Sequence, residues 1–231
     1  MAGLVLRVLL PWILRHESPG LARTMRARAI VAWVWKRFLH IMRFGGVLNY
    51  RVHGGERLGK EGQLILANHP SLLDVVFLLS LSPSSNCIVK HKLMTNPVLH
   101  KAIELCGFIP NDESMETFEQ ATEVLRTGQS LMIFPEGSRT GADGVIDFNR
   151  GAVSIGLHGA KVITPVVIRM RPRGLMKHQP WYYIPPTRYE YEIIVGEDID
   201  PQTYLQNSPL PIAARLLNRE LIDYFQRESQ C

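Results

Sequence analysis

The sequence predicts an α/β fold, in which a mixed, mostly parallel sheet is flanked by helices and preceded by an N-terminal helical element. Two observations predict this fold. From residue 47 onward, short apolar runs alternate with longer amphipathic stretches, which is the pattern of strands that are connected by helices. Before residue 47, apolar and aromatic residues are mixed with Arg and Lys over a stretch that is long enough for helices.

Length and charge indicate one main domain behind a basic segment. The chain has 231 residues, of which 46% are hydrophobic and 20% charged, enough for one sizeable core. Residues 1–50 contain eight Arg or Lys and one acid, Glu17, so this segment carries +7, while the net charge of the whole chain is +5. The rest of the chain is therefore slightly acidic, and we expect no nucleic-acid partner.

The cysteines predict neither a disulfide framework nor a metal site. Cys87, Cys106 and Cys231 are odd in number, widely spaced and match no pattern of metal ligands. We expect reduced thiols in a cytoplasmic compartment.

Residues 1–14 begin the N-terminal element. They are apolar, but Arg7 and Pro11 interrupt them, and they fall short of the ~20 residues that a spanning helix needs. No small-residue cleavage site follows them. We therefore expect neither a signal peptide nor a transmembrane span.

Residues 21–44 are predicted to form a helix that ends at Gly45-Gly46. Aromatic residues such as Trp33 are interleaved with cations, which suits a helix lying among lipid headgroups, where each cation contributes about 1 kcal/mol. The cations are Arg26, Arg28, Lys36, Arg37 and Arg43. We expect residues 1–46 to dock, peripherally or monotopically, on the cytoplasmic face of a membrane, ahead of a domain at 47–231. The alternative is a helix that packs on the domain with a solvated basic face.

The domain should alternate strands and helices. Strands are predicted at 47–52, 63–67, 87–89, 131–134, 162–168 and 191–195, and helices at 70–81, 97–105, 114–127, 149–158 and 210–227. Pro165 lies inside one of these strands. Because proline has no N–H for the ladder, it must occupy a sheet edge or a bulge.

The turn after the strand at 63–67 contains the first candidate site residues. Asp74 is the only charged side chain between His69 and Lys90, and a buried carboxylate needs a partner. A spacing of five is wrong for one face of a helix, so His69 should precede the first turn, with Pro70 at the first helical position. We predict that Asp74 orients His69 as a general base. The alternative is a structural histidine beside a capping Asn68.

A second polar cluster follows the strand at 131–134. Its members are Glu136, Gly137, Ser138 and Arg139. Ligands of open α/β sheets bind outside the carboxyl ends of strands, so this cluster and His69 should share one cleft. Gly137 permits a tight turn whose N–H groups could point at an anion or an oxyanion, and Arg139 could bind phosphate.

These stretches resemble the glycerolipid acyltransferase family, whose best known members are the lysophosphatidate acyltransferases. Asn68-His69-Pro70 with Asp74 is similar to the family's first block, N-H-x-x-x-x-D, and 134–139, Phe-Pro-Glu-Gly-Ser-Arg, to its third block. Residues 107–112 and 162–168 resemble the second and fourth blocks.

The resemblance implies a membrane-associated acyl transfer without a covalent enzyme intermediate, in phospholipid biosynthesis. His69, oriented by Asp74, would deprotonate a hydroxyl of a lysophospholipid as it attacks an acyl thioester of coenzyme A or acyl carrier protein. The family's substrate-binding positions correspond here to Asn68, Glu136, Gly137, Ser138 and Arg139. No cofactor and no metal are implied. Glu113 stands where the family usually has an arginine, which leaves open an acceptor other than a phosphomonoester.

Three further classes compete with this prediction. A serine hydrolase would need the serine of a G-x-S-x-G elbow, and Ser138 is one place too early in Gly137–Gly141. A metal-dependent hydrolase would need His91 or His100 beside His69, at spacings that match no common ligand pattern. A non-catalytic lipid-binding module would be expected to have lost His69 or Asp74.

Overall fold

The computed structural model describes residues 2–112, 114–141, 144–175 and 187–230, which form an α/β domain behind two N-terminal helices. The helices are α1 (Ala2–Ile13), α2 (Leu21–Phe44), α3 (Asp74–Leu81), α4 (His100–Leu105), α5 (Met115–Arg126), α6 (Arg150–Gly159), α7 (Gln202–Leu205) and α8 (Leu210–Gln230). The strands are β1 (Leu48–His53), β2 (Gln63–Ala67), β3 (Asn86–Lys90), β4 (Ile109–Asn111), β5 (Leu131–Ile133), β6 (Val162–Arg171) and β7 (Tyr189–Val195). Two short 3₁₀ turns lie at Gly55–Arg57 and His91–Thr95.

The seven strands form one mixed, mostly parallel sheet in the order β1-β7-β6-β2-β5-β3-β4. Only β6 and β7 pair antiparallel; the other neighbouring strands are parallel. The predicted fold class is therefore confirmed. Strand β2 is the fourth of the seven strands, between β6 and β5. The loop that leads from its carboxyl end to His69 therefore starts in the middle of the sheet.

The two faces of the sheet carry separate cores. Leu64 and Leu66 of β2 pack with α5, α6 and α8 on one face, whereas Ile65 and Ala67 pack with α2 and α3 on the other. All of β2 is buried, as expected for a strand with helices on both sides. This burial explains why residues 64–67 of β2 are an apolar run without alternation.

Two helices begin three or four residues later than their sequence pattern predicts. Helix α3 starts at Asp74 and not at residue 70, so Pro70 is not its first residue. The main-chain N–H of Ser71 donates to the Asp74 carboxylate, which holds 70–73 in a turn. Likewise α4 starts at His100 and not at residue 97, because the Asn96 side chain accepts from the main chain of Val98 and closes a turn there.

Pro165 sits at a bulge in the middle of the sheet. The β6–β7 ladder has its last pair at Val166 and Val195, and the next pairing, Ile163 with Ile199, takes three residue steps on one chain against four on the other. The extra residue marks a bulge, which is one of the two positions that the sequence predicted for Pro165.

The N-terminal helices pack on the domain with part of their surface. Leu6 and Leu10 of α1 and Val31 of α2 form a third core with α4, and Leu39 of α2 joins the core beneath α3. Arg28 is also buried, so the prediction that it is one of the cations facing lipid headgroups is wrong. In the described ranges no helix is both long and apolar enough to span a membrane. Whether residues 1–46 and 47–231 are separate functional units stays a prediction.

Candidate active site

Two loops meet at the carboxyl ends of the adjacent parallel strands β2 and β5. The loop after β2 contains Asn68 and His69, and the loop after β5 contains Phe134 to Thr140. The main-chain N–H of Thr140 donates to the His69 carbonyl at 2.8 Å, which joins the two loops directly. The two clusters that the sequence predicted to share one cleft are therefore in direct contact.

His69 and Asp74 form a hydrogen-bonded pair. His69 Nδ1 lies 2.8 Å from Asp74 Oδ2, and the Asp74 side chain is fully buried while that of His69 is 15% exposed. A carboxylate only accepts hydrogen bonds, so the proton lies on Nδ1 and Nε2 is the basic nitrogen of the ring. His69 precedes the first turn of α3, as its spacing from Asp74 predicts.

Both oxygens of Asp74 have donors besides the imidazole. Ser71 donates its main-chain N–H to Oδ2 and its hydroxyl to Oδ1, both at 2.6 Å. Tyr191 of β7 donates in turn to the Ser71 hydroxyl at 3.0 Å. These bonds offset the cost of burying the charge and fix the plane of the carboxylate.

Glu136 joins the two loops a second time. Its Oε1 accepts from the main-chain N–H of His69 at 2.8 Å and from the Thr140 hydroxyl at 3.0 Å. Burial raises the pKa of Glu136 above its usual value, and the hydrogen bond from His69 opposes this shift. The carboxylate therefore holds His69 through its backbone, while the Phe134 ring, 4.5 Å from the imidazole between centroids, supports the side chain.

Gly137 makes the tight turn that its sequence predicts. Its φ is +64°, a value that favours glycine, and nothing lies within 4 Å of the position a Cβ would take. Its own N–H donates to the Phe134 carbonyl at 3.0 Å. That N–H closes the turn, so the expected anion- or oxyanion-binding group at this position is already engaged within the protein.

Arg139 and Ser138 follow in the same loop, and both are half-buried. Arg139 Nη1 donates to the carbonyl of Leu175 at 2.6 Å. Leu175 itself has a φ of +53°, which is uncommon for a residue other than glycine. This contact fixes the guanidinium between the loop after β5 and the chain that follows β6.

Asn68 acts within the sheet. Its side chain is buried, donating to the carbonyl of Ile168 at 2.9 Å and accepting from the N–H of the same residue at 2.7 Å. The amide thus pairs with β6 as a strand residue would, and it fixes where the chain turns toward His69. This geometry engages both polar ends of the side chain that was expected to bind substrate.

Three residues of the candidate site were not predicted from the sequence. Ser71 had a local signal, since Ser-x-x-Asp is a common pattern for a side chain that bonds within one turn. Thr140 lies just beyond the predicted cluster, where it bonds Glu136. Tyr191 had no local signal, because it is separated from Ser71 by 120 positions in the chain.

Glu113, which stands where the resemblance leads one to expect an arginine, lies outside the described residues. Two arginines close to Asn68 in the sheet, Arg169 and Arg171, belong to β6. Arg169 pairs with Glu192 and with the end of α8 through Glu228. Arg169 is therefore part of an ion-pair network of the domain.

Comparison with known proteins places this site in a family. The model of a family described as Acyltransferase matches residues 49–169, a little over half of the chain. Among curated proteins, a 1-acyl-sn-glycerol-3-phosphate acyltransferase of Saccharomyces cerevisiae is 30% identical over 149 residues, covering 60% of this chain and 49% of that protein. The protein of the same name from Pseudomonas aeruginosa is 26% identical over 139 residues, covering 57% and 54%.

The chain spans about half the length of these curated relatives. Among solved structures, the 1-acyl-sn-glycerophosphate acyltransferase PlsC of Thermotoga maritima superposes with a TM-score of 0.68 at 19% identity, over 94% of this chain and 87% of that one. That likeness shows a shared fold. The family match includes both of the joined loops, with His69, Asp74, Glu136 and Arg139. The chain therefore belongs to the Acyltransferase family.

Proposed function

We propose that this protein is a membrane-associated O-acyltransferase that moves a fatty acyl group from an acyl thioester to a hydroxyl of a lysophospholipid of the lysophosphatidate type, in phospholipid biosynthesis. The observation that carries the proposal is the buried Asp74 carboxylate on Nδ1 of His69, which leaves Nε2 as the base. The similarity to 1-acyl-sn-glycerol-3-phosphate acyltransferases supports the choice of acceptor.

The chemistry follows from this pair. Nε2 of His69 takes the proton of the acceptor hydroxyl while the oxygen attacks the thioester carbonyl. A carbon–oxygen bond forms, the carbon–sulfur bond breaks, and the leaving thiolate receives the proton from the imidazolium. Asp74 stabilises the imidazolium between these steps. The acceptor attacks directly, so no covalent acyl-enzyme is needed.

The loop after β5 would position the acceptor. A guanidinium has five N–H donors, so Arg139 can bind a phosphate oxygen while it keeps its bond to Leu175. Ser138 stands beside it with a hydroxyl that can donate to the same group. Glu136, Gly137 and Asn68 would contribute indirectly, since their hydrogen bonds within the protein shape the two loops.

The acyl donor enters as a co-substrate, either acyl-CoA or acyl carrier protein, and no resident cofactor is proposed.

The proposed location is the cytoplasmic face of a membrane. Large apolar side chains are strongly exposed on α1 and α2, among them Trp12 at 61%, Trp33 at 59% and Phe44 at 97%. Such a surface, with cations beside it, suits insertion into the headgroup region.

An acceptor with a less anionic headgroup is the second candidate. It rests on Glu113, an acid where the family usually has an arginine. One like-charge contact at about 4 Å costs on the order of 4 kcal/mol at an effective dielectric near 20. A phosphomonoester facing Glu113 would be rejected by such a contact.

A panel of lysolipids tests these proposals. Purified protein is incubated in vesicles with acyl-CoA or acyl carrier protein and with lysophosphatidate, lysophosphatidylcholine or lysophosphatidylethanolamine, and the products are identified by mass spectrometry. Turnover of lysophosphatidate supports the first proposal. Preference for the zwitterionic lysolipids, reversed in Glu113→Arg, supports the second. Lipid binding without turnover of any acceptor would instead indicate a non-catalytic module.

A further inference from the structure

The Ser71 hydroxyl is saturated with hydrogen bonds. It accepts from the hydroxyl of Tyr191 at 3.0 Å and from the main-chain N–H of Leu73 at 3.2 Å, and it donates to Asp74 Oδ1 at 2.6 Å. A serine hydroxyl has two lone pairs and one hydrogen, so this set uses all of its capacity. With both lone pairs occupied, the single hydrogen is directed at the carboxylate.

Tyr191 reaches this position from a different part of the fold. It lies on β7, two strands away from β2 in the sheet, and its side chain is 2% exposed. Its ring packs on Phe77 of α3, with 4.7 Å between centroids, so it braces the helix that begins with Asp74. Ser71 and Asp74 are fully buried as well, so water cannot replace a lost partner without rearrangement.

We propose that Tyr191 is a positioning residue of the His69–Asp74 pair and acts through the hydroxyl of Ser71. By donating to Ser71, Tyr191 fixes the direction of the serine hydrogen and strengthens its bond to Asp74 Oδ1, because consecutive hydrogen bonds polarise one another. Asp74 Oδ2 is then left to the His69 ring and the Ser71 N–H. The inference rests on the proposed function, since it assigns Tyr191 a part in that reaction.

A buried tyrosine needs a partner for its hydroxyl whether or not it affects catalysis, so the contact with Ser71 alone does not separate a positioning role from a packing role. The two roles differ in what they predict for substitutions. If Tyr191 acts through Ser71, removing its hydroxyl matters only while the serine hydroxyl is present. The effects of Tyr191→Phe and Ser71→Ala on kcat must then be non-additive. If Tyr191 only packs, the two effects are independent and multiply.

The test combines kinetics with an NMR signal that needs no turnover. Tyr191→Phe is expected to lower kcat about tenfold, the size of one hydrogen bond to a charged network, with KM unchanged. Ser71→Ala should lower kcat at least as much, and the double variant should match Ser71→Ala. The resonance of the His69 Nδ1 proton, assigned by its loss in His69→Gln, should move in both single variants.

Tyr189→Phe is the matched control. Tyr189 lies on the same strand, is equally buried, and its ring centroid is 6.5 Å from that of Tyr191. The control should leave kcat and the Nδ1 resonance unchanged. Multiplying effects of Tyr191→Phe and Ser71→Ala, an unmoved resonance in Tyr191→Phe, or an equal effect of Tyr189→Phe would each overturn the inference. If the unmodified protein transfers no acyl group, the proposed function fails, and the resonance alone decides the role of Tyr191.

Discussion

The main-chain N–H of His69 donates to the Glu136 carboxylate at 2.8 Å, across 67 positions of sequence. His69 is thus held at three points: its ring by Asp74, its N–H by Glu136, and its carbonyl by Thr140. The family resemblance assigns Glu136 to substrate binding, whereas this contact gives it a role in holding His69 in place. Asp74 of the first sequence block and Glu136 of the third block therefore both hold His69.

Replacing either member of the pair should abolish most acyl transfer. General base catalysis contributes roughly 10² to 10⁴ in rate, so His69→Ala should lose that factor in kcat. Asp74→Asn should be nearly as damaging, because it removes the charge that stabilises the imidazolium. The initial rate of product formation measures both variants.

His158→Ala is the matched control for that experiment. His158 is exposed on α6, and its Nδ1 bonds the carbonyl of Ser154 in the same helix. It should retain full activity. Circular dichroism should show an intact fold for His69→Ala. Activity of His69→Ala within a few-fold of the parent would falsify the general-base mechanism.

Glu136 predicts a pH-dependent difference in stability. Burial raises the pKa of its carboxyl in the folded state. The folded protein therefore holds this proton more tightly than the unfolded chain. The resulting contribution to the free energy of unfolding is fully present below the pKa of the unfolded state and is lost as pH rises through the pKa of the folded state. Glutamine keeps an acceptor for the His69 N–H but does not titrate.

The free energy of unfolding of Glu136→Gln, relative to the parent, should therefore rise from about pH 4 to pH 7, as measured by urea denaturation at each pH. Glu136→Ala, which removes the acceptor altogether, should be less stable than Glu136→Gln and less active. A difference in the free energy of unfolding between parent and Glu136→Gln that does not change with pH would contradict a raised pKa of the Glu136 carboxyl.

Local pattern predicted the strands well, and the site in part. Strand β2 is predicted with its observed bounds at Gln63–Ala67, because burial on both faces makes residues 64–67 a continuous apolar run. The start of α3 was placed four residues early, since Ser71 and Asp74 close a turn that hydrophobic periodicity does not report. Tyr191 could not be found, because its relation to Ser71 exists only once β7 has joined the sheet.

Arg28 of α2 is a second residue whose role depends on contacts that the local sequence does not reveal. From composition it is one cation among several on α2, but in the structure it is 3% exposed and donates to the carbonyls of Cys106 and Ser84 and to Gln129. Burial lowers its pKa. Arg28→Met should destabilise the protein by roughly 2 kcal/mol, because it leaves buried acceptors without a donor.

Urea denaturation measures that loss, and Arg26→Met provides the control on the same helix. Arg26 is 59% exposed and forms a surface ion pair with Glu17, so its replacement should stay within about 0.5 kcal/mol of the parent. Equal losses in the two variants would show that Arg28 contributes no more than an exposed cation.

Membrane attachment is best tested by point substitutions, because deleting α1 and α2 would also expose the cores that contain Leu10 and Leu39. Trp12 and Trp33 are exposed, and each has a cation over its ring, Arg15 at 4.6 Å and Arg37 at 5.4 Å from the centroid. An aromatic side chain paired with a cation can insert its ring while the charge meets a lipid phosphate.

The double variant Trp12→Ser and Trp33→Ser should therefore bind vesicles of phosphatidylcholine and phosphatidylglycerol at least tenfold more weakly in a sedimentation assay, since burying one large apolar side chain contributes about 1.5 to 3 kcal/mol. Raising the salt concentration to about 1 M, where the Debye length is about 3 Å, should weaken binding of the unmodified protein as well. The control replaces two exposed apolar residues of the domain, Met115 and Ile212, by serine. An equal loss in the control would mean that attachment is not a property of the N-terminal helices, because all four side chains would then contribute alike.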